Sequence, residues 1–510
     1  MRDIVLCNGT LIDGTGAAPV AGDLLIRGDR IAGAGRFERL ADALAIDCSG
    51  LAVAPGFVDA HSHSDLQVLE GRREKALQGV TTEVVGNCGF SPYPAPPDKA
   101  ELRRYANGIF RGGDRWGWDT AREYLDAVAA SPSPVNVVSL VGHGSLRVAQ
   151  AGHTLGPIPE TDVQGMEQKL AEAFEQGAAG FSTGLMYAPG ESAPFEELVR
   201  LCRVTARHGR IYTSHIRTYF SGLVEAVEEQ LELARRSGCR LQISHMQAVG
   251  PANWRLQAPA IERIEKARGE GIDVMFDCYP YVAGSTVLTQ LLPQRALEGG
   301  AEGLLARLAD SAERKRIAEE TVAASPWRWS DIYICGVGSE RNRASVGRNL
   351  AELGETRGKD PMEVVFDLLQ EERCQVNMLC FNQSEENLKQ TLTHPLSIII
   401  SDSFYVTGRP HPRLHGTFPK LLGEFCRRRQ WLPLADAIRK VTNEPARRFG
   451  LAQRGRLERG YFADITVFDP ETVDSPATYE EPEQPPVGIR CVLRNGKPVT
   501  GYAIPDFARL

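Results

Sequence analysis

A chain of 510 residues exceeds one ordinary folding unit, and its 42% hydrophobic content is ample for a substantial core, so more than one unit is expected. Lys and Arg total 58 against 65 for Asp and Glu, a mildly acidic balance without the basic footprint of a nucleic-acid binder. No apolar run approaches the roughly 18 residues needed to span a bilayer, and the eleven cysteines lie scattered without a CxxC, which together point to a cytoplasmic protein.

Residues 1–54 read as short strands separated by turn residues, for example Asp23-Leu24-Leu25-Ile26-Arg27 followed by Gly28-Asp29-Arg30. The apolar run that begins at Pro55 ends in His61-Ser62-His63, two histidines that share one face of an extended chain. Downstream, apolar runs alternate with amphipathic helical stretches: Val135 to Val141, a helix near Asp162 to Gln176, then Gly180-Phe181-Ser182. Further runs are Ile211 to His215, Leu241 to His245, Asp273 to Asp277 and Ser397 to Asp402. Several of them end in a potential metal ligand. A (β/α)₈ barrel brings many strand ends to one point, whereas a doubly wound sheet offers fewer, so the barrel is favoured. The rhythm breaks at about 286–350, which reads as an insertion and a candidate lid. Residues 455–510 return to the β texture and are expected to join residues 1–54 in one small sandwich, with 55–454 forming the barrel and its insertion.

The potential ligands are His61, His63, Cys88, His215, His245 and Asp402. Imidazole, thiolate and carboxylate all suit zinc, and such a mixture at strand ends fits a catalytic site better than a structural one, which uses local Cys and His pairs. Each residue also has a plainer reading, as a hydrogen-bonded core histidine, a small apolar cysteine or a helix-capping aspartate; six in compatible positions weigh against it. His143 follows a strand and reads as a core histidine. His153, His208, His394 and His411 fall in loops or helices, and His415 is expected to shape the loop after the last strand.

Longer motifs carry a resemblance. They are Pro55-Gly56-Phe57-Val58-Asp59-Ala60-His61-Ser62-His63-Ser64-Asp65, Gly86-Asn87-Cys88-Gly89, Thr213-Ser214-His215, Ile243-Ser244-His245, Tyr279-Pro280-Tyr281 and Ser401-Asp402, then His415-Gly416-Thr417-Phe418-Pro419 and Arg454-Gly455-Arg456 with Ala463-Asp464. Over nearly its whole length the chain resembles the D-aminoacylase, or N-acyl-D-amino-acid deacylase, family of the amidohydrolase superfamily. The resemblance implies a distorted (β/α)₈ TIM barrel with a small β-sandwich built from both chain ends, and zinc-dependent removal of the acyl group from N-acyl-D-amino acids. It places Cys88 where many superfamily members use a metal-bridging carbamylated lysine. It implies a tight zinc on Cys88, His215 and His245, and a second, weaker metal on His61, His63 and Asp402, so that one zinc suffices. Asp402 is implied as the general base and acid.

By the same resemblance, Tyr187, Tyr279 and Ser285 would meet the substrate carboxylate, with Tyr281 an alternative to Tyr279. Arg217 is either a bidentate carboxylate partner or a surface ion pair. Two departures bear on specificity: His215-Ile216-Arg217-Thr218-Tyr219 lacks the acidic pair of relatives, and His245-Met246-Gln247 has a neutral amide where a lysine is frequent. The second makes recognition of an acidic side chain less expected, although Arg295 in the insertion offers a positive charge unless it lies on a solvated face. Two other functions compete: a hydantoinase-like hydrolase of cyclic amides, disfavoured by the missing bridging lysine, and a catalytically inactive scaffold, disfavoured by retention of all six ligands. The expected partner is a small N-acyl amino acid, with no nucleic acid and no membrane; oligomeric state, acyl preference and side-chain preference stay open.

Overall fold

Residue patterning at the amino terminus produces five strands, β1 (Ile4–Leu11), β2 (Val20–Arg27), β3 (Arg30–Gly35), β4 (Leu44–Asp47) and β5 (Ala52–Pro55), in a computed structural model that describes residues 3–37, 43–112, 116–324 and 327–500. Residues 1–2, 38–42 and 501–510 of the expected sandwich lie outside the described residues. β1 pairs antiparallel with β2, and it changes its parallel partner from β4 (Ile4↔Leu44) to β5 (Thr10↔Ala52) along its length. The change falls where the β1–β2 register shifts between Leu6 and Gly9, with Asn8 in the left-handed region at φ 58°. Such a bulge bends a strand and lets a sheet fold over its own core. Leu6, Leu24, Ile46 and Val53 fill that core and are fully buried.

The parallel sheet follows in chain order. β6 (Phe57–Asp59), β7 (Val80–Val85), β8 (Asn136–Gly142), β9 (Gly180–Gly184), β10 (Ile211–His215), β11 (Arg240–Ile243) and β12 (Val274–Cys278) each pair with the next. Every residue of β7, β9, β10 and β12 is buried, as expected of strands covered by crossover helices. Those helices include Glu160–Glu175, Phe195–Arg207, Leu223–Ser237 and Gln257–Gly269, which bury Met166, Leu198, Leu231 and Ile264 against the strands. The helix Leu223–Ser237 stops at Gly238, whose φ of 73° suits a residue without a Cβ.

After β12 the chain leaves the barrel. β13 (Ala283–Val287), β14 (Ile332–Gly336) and β15 (Asn377–Phe381) form an antiparallel sheet in the order β13-β15-β14, with helices Gly300–Ala309, Ser311–Ala324, Leu350–Arg357 and Pro361–Glu371 around a separate apolar core. Residues 286–350 lie within this excursion, whose strands run on to Phe381. β16 (Ser397–Ile399) then returns beside β12 as the eighth barrel strand. β6 and β16 stand at the two ends of the sheet order, and the seam between them closes just past the strand ends. There Ser62 and Ser403 form a parallel bridge, the Asp402 amide donates to the His61 carbonyl at 2.8 Å, and the His63 amide donates to the Ser403 carbonyl at 2.9 Å. The result is the distorted eight-stranded barrel that the sequence led us to expect.

β17 (Ile465–Phe468), β18 (Ile489–Arg494) and β19 (Lys497–Thr500) complete the first sheet, with β17 antiparallel to β5. The two chain ends therefore share one β unit. Among the described residues no helix is long and apolar enough to cross a membrane.

Candidate active site

All six candidate ligands sit at the carboxyl ends of barrel strands. His61 and His63 follow β6, Cys88 lies in the loop after β7, and His215 is the last residue of β10. His245 is two residues past β11, and Asp402 three past β16. Cys88, His245 and Asp402 adopt left-handed backbone, with φ of 52°, 33° and 51°. A non-glycine residue held there costs roughly 1–3 kcal/mol and persists only where its surroundings over-determine it. Convergence of three such residues on one point marks a site whose side-chain directions matter more than local comfort.

The side chains meet closely. Cys88 Sγ lies 3.2 Å from His61 Nε2 and 3.6 Å from His245 Nε2, and Asp402 Oδ1 lies 3.3 Å from His61 Nε2 and 3.4 Å from His63 Nε2. One ligand atom from each of His61, Cys88, His245 and Asp402 lies within 4.8 Å of every other. Bonds to zinc of about 2.0–2.3 Å place tetrahedral ligands about 3.3–3.8 Å apart, so this spacing suits an ion at the centre. His63 joins the group through Asp402. His215 lies outside the mutual 4.8 Å set, with its ring 4.6 Å from that of His245 and 4.9 Å from that of Tyr187.

Electrostatics favours cation binding. Burial, then His245, holds His215 well below the usual imidazole range, and burial pushes His245 down to about 4 against the pull of Asp402. Neutral imidazoles keep a lone pair for a metal. Both ring nitrogens of His215 and the Nδ1 atoms of His61, His63 and His245 are buried without a hydrogen-bond partner. Burial pushes the Cys88 thiol up while His61 pulls it down. Burial acts against charge on His61 as well, yet Cys88 and Asp402 hold it well above its ordinary range. Burial alone would raise the Asp402 carboxyl, but Arg413, then His61 and His63, hold it well below the carboxylate range. A buried set of nitrogen, sulfur and oxygen donors with orphaned nitrogens fits a zinc ion.

Four supporting residues were not foreseen from the sequence. Asp277 accepts from the His245 amide at 2.6 Å and stands 3.7 Å from His61 Nδ1. Arg413 donates to Asp402 Oδ2 at 2.8 Å and lies over the Tyr279 ring. Lys75 is buried against Asp59, donating to its Oδ2 and to Ser401 Oγ at 2.6 Å, and it stands 3.7 Å from Glu83. Asp59 in turn accepts from the Ser401 amide at 2.9 Å, so this network ties the two sides of the barrel seam beneath the ligands. Asp59 and Asp277 end apolar strand runs, a signal that could have found them; Lys75 and Arg413 carry none.

The model of a family described as the amidohydrolase family matches residues 44–500. The chain belongs to the amidohydrolase family. Among curated relatives, this amidohydrolase is 37% identical to a D-aminoacylase of Alcaligenes xylosoxydans xylosoxydans, over 98% of this chain and 94% of that protein. It is also 37% identical to an N-acyl-D-glutamate deacylase of the same organism, over 99% of this chain and 95% of that one. Among solved structures, N-acyl-D-glutamate deacylase from Bordetella bronchiseptica, complexed with zinc and a phosphonate mimic of the tetrahedral intermediate, superposes with a TM-score of 0.84. That match has 35% identity and covers 98% of this chain and 96% of the other.

A cleft with about 730 Å³ of empty space, its open mouth included, lies over the candidate ligands of this amidohydrolase. Tyr187, Tyr279 and Ser285 all line it. The Tyr187 hydroxyl pairs with Thr286 Oγ1 at 3.0 Å, Tyr279 donates to Gln247 Oε1 at 3.0 Å, and Ser285 donates to the Met378 carbonyl at 3.1 Å. Tyr281 faces a different hollow, beside Lys420. Arg217 pairs with Glu229 at 2.8 Å and lines only an outer hollow, and Arg295 pairs with Glu313 and Glu320. His143 is buried and hydrogen-bonded to Glu197 at 2.8 Å, and His411 bonds the Ala283 carbonyl at 3.0 Å.

Proposed function

We propose that this amidohydrolase removes the acyl group from N-acyl-D-amino acids, releasing a carboxylate and a free D-amino acid, with zinc as its metal. The observation that carries the reading is the buried meeting of Cys88, His61, His245 and Asp402 at the closing seam of the barrel, in a chain that matches two N-acyl-D-amino-acid hydrolases along almost its full length. Cys88, His215 and His245 would hold a tight zinc, a role supported for His215 by two ring nitrogens without another partner. His61, His63 and Asp402 would hold a second, weaker ion. What zinc supplies there is Lewis acidity towards a carbonyl oxygen and towards water.

The chain's own residues do the rest. Tyr187, Tyr279 and Ser285 would turn their hydroxyl hydrogens from Thr286, Gln247 and the Met378 carbonyl to the substrate carboxylate and fix the scissile amide over the site. Asp402 accepts a proton from the attacking water at Oδ1 and delivers it to the departing nitrogen, which leaves as an amine. Arg413 holds the opposite oxygen, Oδ2, and so orients Oδ1 towards the reaction. Eleven unpaired cysteines support placing this chemistry in the cytoplasm.

The test is amine release from a panel of N-acetyl and N-formyl amino acids, D and L, with zinc measured on the same preparation. Turnover confined to D-substrates with at least one zinc per chain is expected. Zinc without turnover on the panel would discard this substrate class.

A further inference from the structure

We infer that the substrate's D-amino-acid side chain is uncharged and apolar, and that the site refuses N-acyl-D-glutamate and N-acyl-D-aspartate. This inference rests on the deacylase reading. The chain is 37% identical both to a relative named for D-glutamate and to one named without a side chain, so overall similarity does not choose between them. The cavity does.

Its apolar wall residues are Ile109, Met186, Phe220, Val249, Trp327 and Met378, and the amides of Gln247, Gln290 and Asn382, all neutral, lie among them. Phe220 and Trp327 meet edge to face, with ring centroids 5.3 Å apart and planes at 86°. Together with Met186 they are shared with an adjoining hollow. Among the described residues no lysine or arginine lines the cavity, and Asp402 is its one carboxylate.

The neighbouring cations are already engaged. Arg413 is spent on Asp402, Arg217 on Glu229, and Arg295 on Glu313 and Glu320. The hydroxyls of Tyr187, Tyr279 and Ser285 are engaged too, but each can rotate from its present partner, and together they suffice for one α-carboxylate. A second carboxylate on the side chain would lose its water and meet thioether and aromatic surface, with no counter-charge and with Asp402 in the same cavity, a strongly unfavourable exchange. An apolar side chain removes its own surface and that of the wall from water.

The experiment compares kcat/KM for the N-acetyl derivatives of D-methionine, D-phenylalanine, D-alanine, D-glutamate and D-aspartate, in the zinc-loaded wild type and in Phe220→Ala. In the wild type, D-methionine and D-phenylalanine should exceed both acidic substrates by at least about 100-fold, the scale of an unpaired buried polar group. In Phe220→Ala, D-phenylalanine should fall by about 10-fold or more, and by more than D-alanine, whose side chain buries less apolar surface. Zinc content and a circular dichroism spectrum matching wild type show that the variant is folded. Faster turnover of an acidic substrate, or an equal fall for D-phenylalanine and D-alanine, would overturn the inference and leave the deacylase reading standing. No turnover of any D-substrate would sink the deacylase reading, and the inference with it.

Discussion

Replacing Lys75 by Met tests how the barrel seam is held. Lys75 is 1% exposed, and its ammonium lies between two buried carboxylates, bonded to Asp59 and 3.7 Å from Glu83. Removing the cation leaves two buried acids facing each other, and breaking a buried pair costs about 3–5 kcal/mol. Burial already raises the Glu83 carboxyl, with Lys75 pulling it down and Asp59 pushing it up. Without Lys75 it rises further. A carboxyl whose folded value lies above its unfolded one destabilises increasingly as pH climbs past the unfolded value, because the unfolded chain ionises freely and the folded one cannot. The deficit of Lys75→Met should therefore be larger near pH 7 than near pH 5. Adding Glu83→Gln removes one of the two acids and should recover about 1 kcal/mol or more. Denaturant titrations of wild type, single and double variants measure this. Because Asp59 and Ser401 flank the ligands His61 and Asp402, zinc content of the single variant should fall as well. A loss under about 1 kcal/mol at both pH values, or a double variant less stable than the single one, would refute the charge-balance reasoning.

Other expectations follow from single contacts. A Cβ on Gly184 would overlap the Cys88 carbonyl oxygen, a backbone atom with nowhere to go, so Gly184→Ala should displace the Cys88 loop, lower zinc content and cost about 1–3 kcal/mol in denaturation. Lys440 is 2% exposed and donates to the Ser397 carbonyl at 3.0 Å, while burial pushes its ammonium down from 10.5 to about 8. Between those values the unfolded chain keeps a proton that the folded chain has released, so this residue favours folding as pH rises through the window, and below about 8 its buried charge opposes folding. Denaturation of wild type against Lys440→Met near pH 7 and near pH 10 should show the balance moving towards wild type by up to about 3 kcal/mol; a constant difference would contradict it.

Much of this molecule was legible because its signals are local. Parallel strands covered on both faces leave continuous apolar runs, and the residues that end those runs, His215 and His245 among them, stand out without any knowledge of the partners across the barrel. The supporting groups were hidden for the opposite reason. Lys75 meets Ser401 across 326 positions, and a lysine outside a periodic run reads as an ordinary surface residue until that contact is made. Arg413 behaves alike: its partner Asp402 lies 11 positions back, but the bond depends on the turn of chain after β16. The excursion after β12 was seen through its charged helices at 286–350, whereas the short antiparallel strands flanking them, such as Asn377–Phe381, resemble any other apolar run. The left-handed backbone at Cys88, His245 and Asp402 was not legible, since only a few per cent of non-glycine residues adopt it, and even aspartate and histidine, which do so more often than most, carry no local sign of it.

The most direct measurement pairs zinc content with hydrolysis of N-acetyl-D-methionine and its L-enantiomer by wild type and Cys88→Ala, grown and purified with the same zinc supplement. At least one zinc per chain and turnover of the D-enantiomer alone are expected in the wild type, with both lost in a Cys88→Ala protein whose stability stays within about 1 kcal/mol of wild type when both are compared metal-free. Undiminished zinc and turnover in Cys88→Ala would contradict the assignment of this buried cluster as the hydrolytic centre.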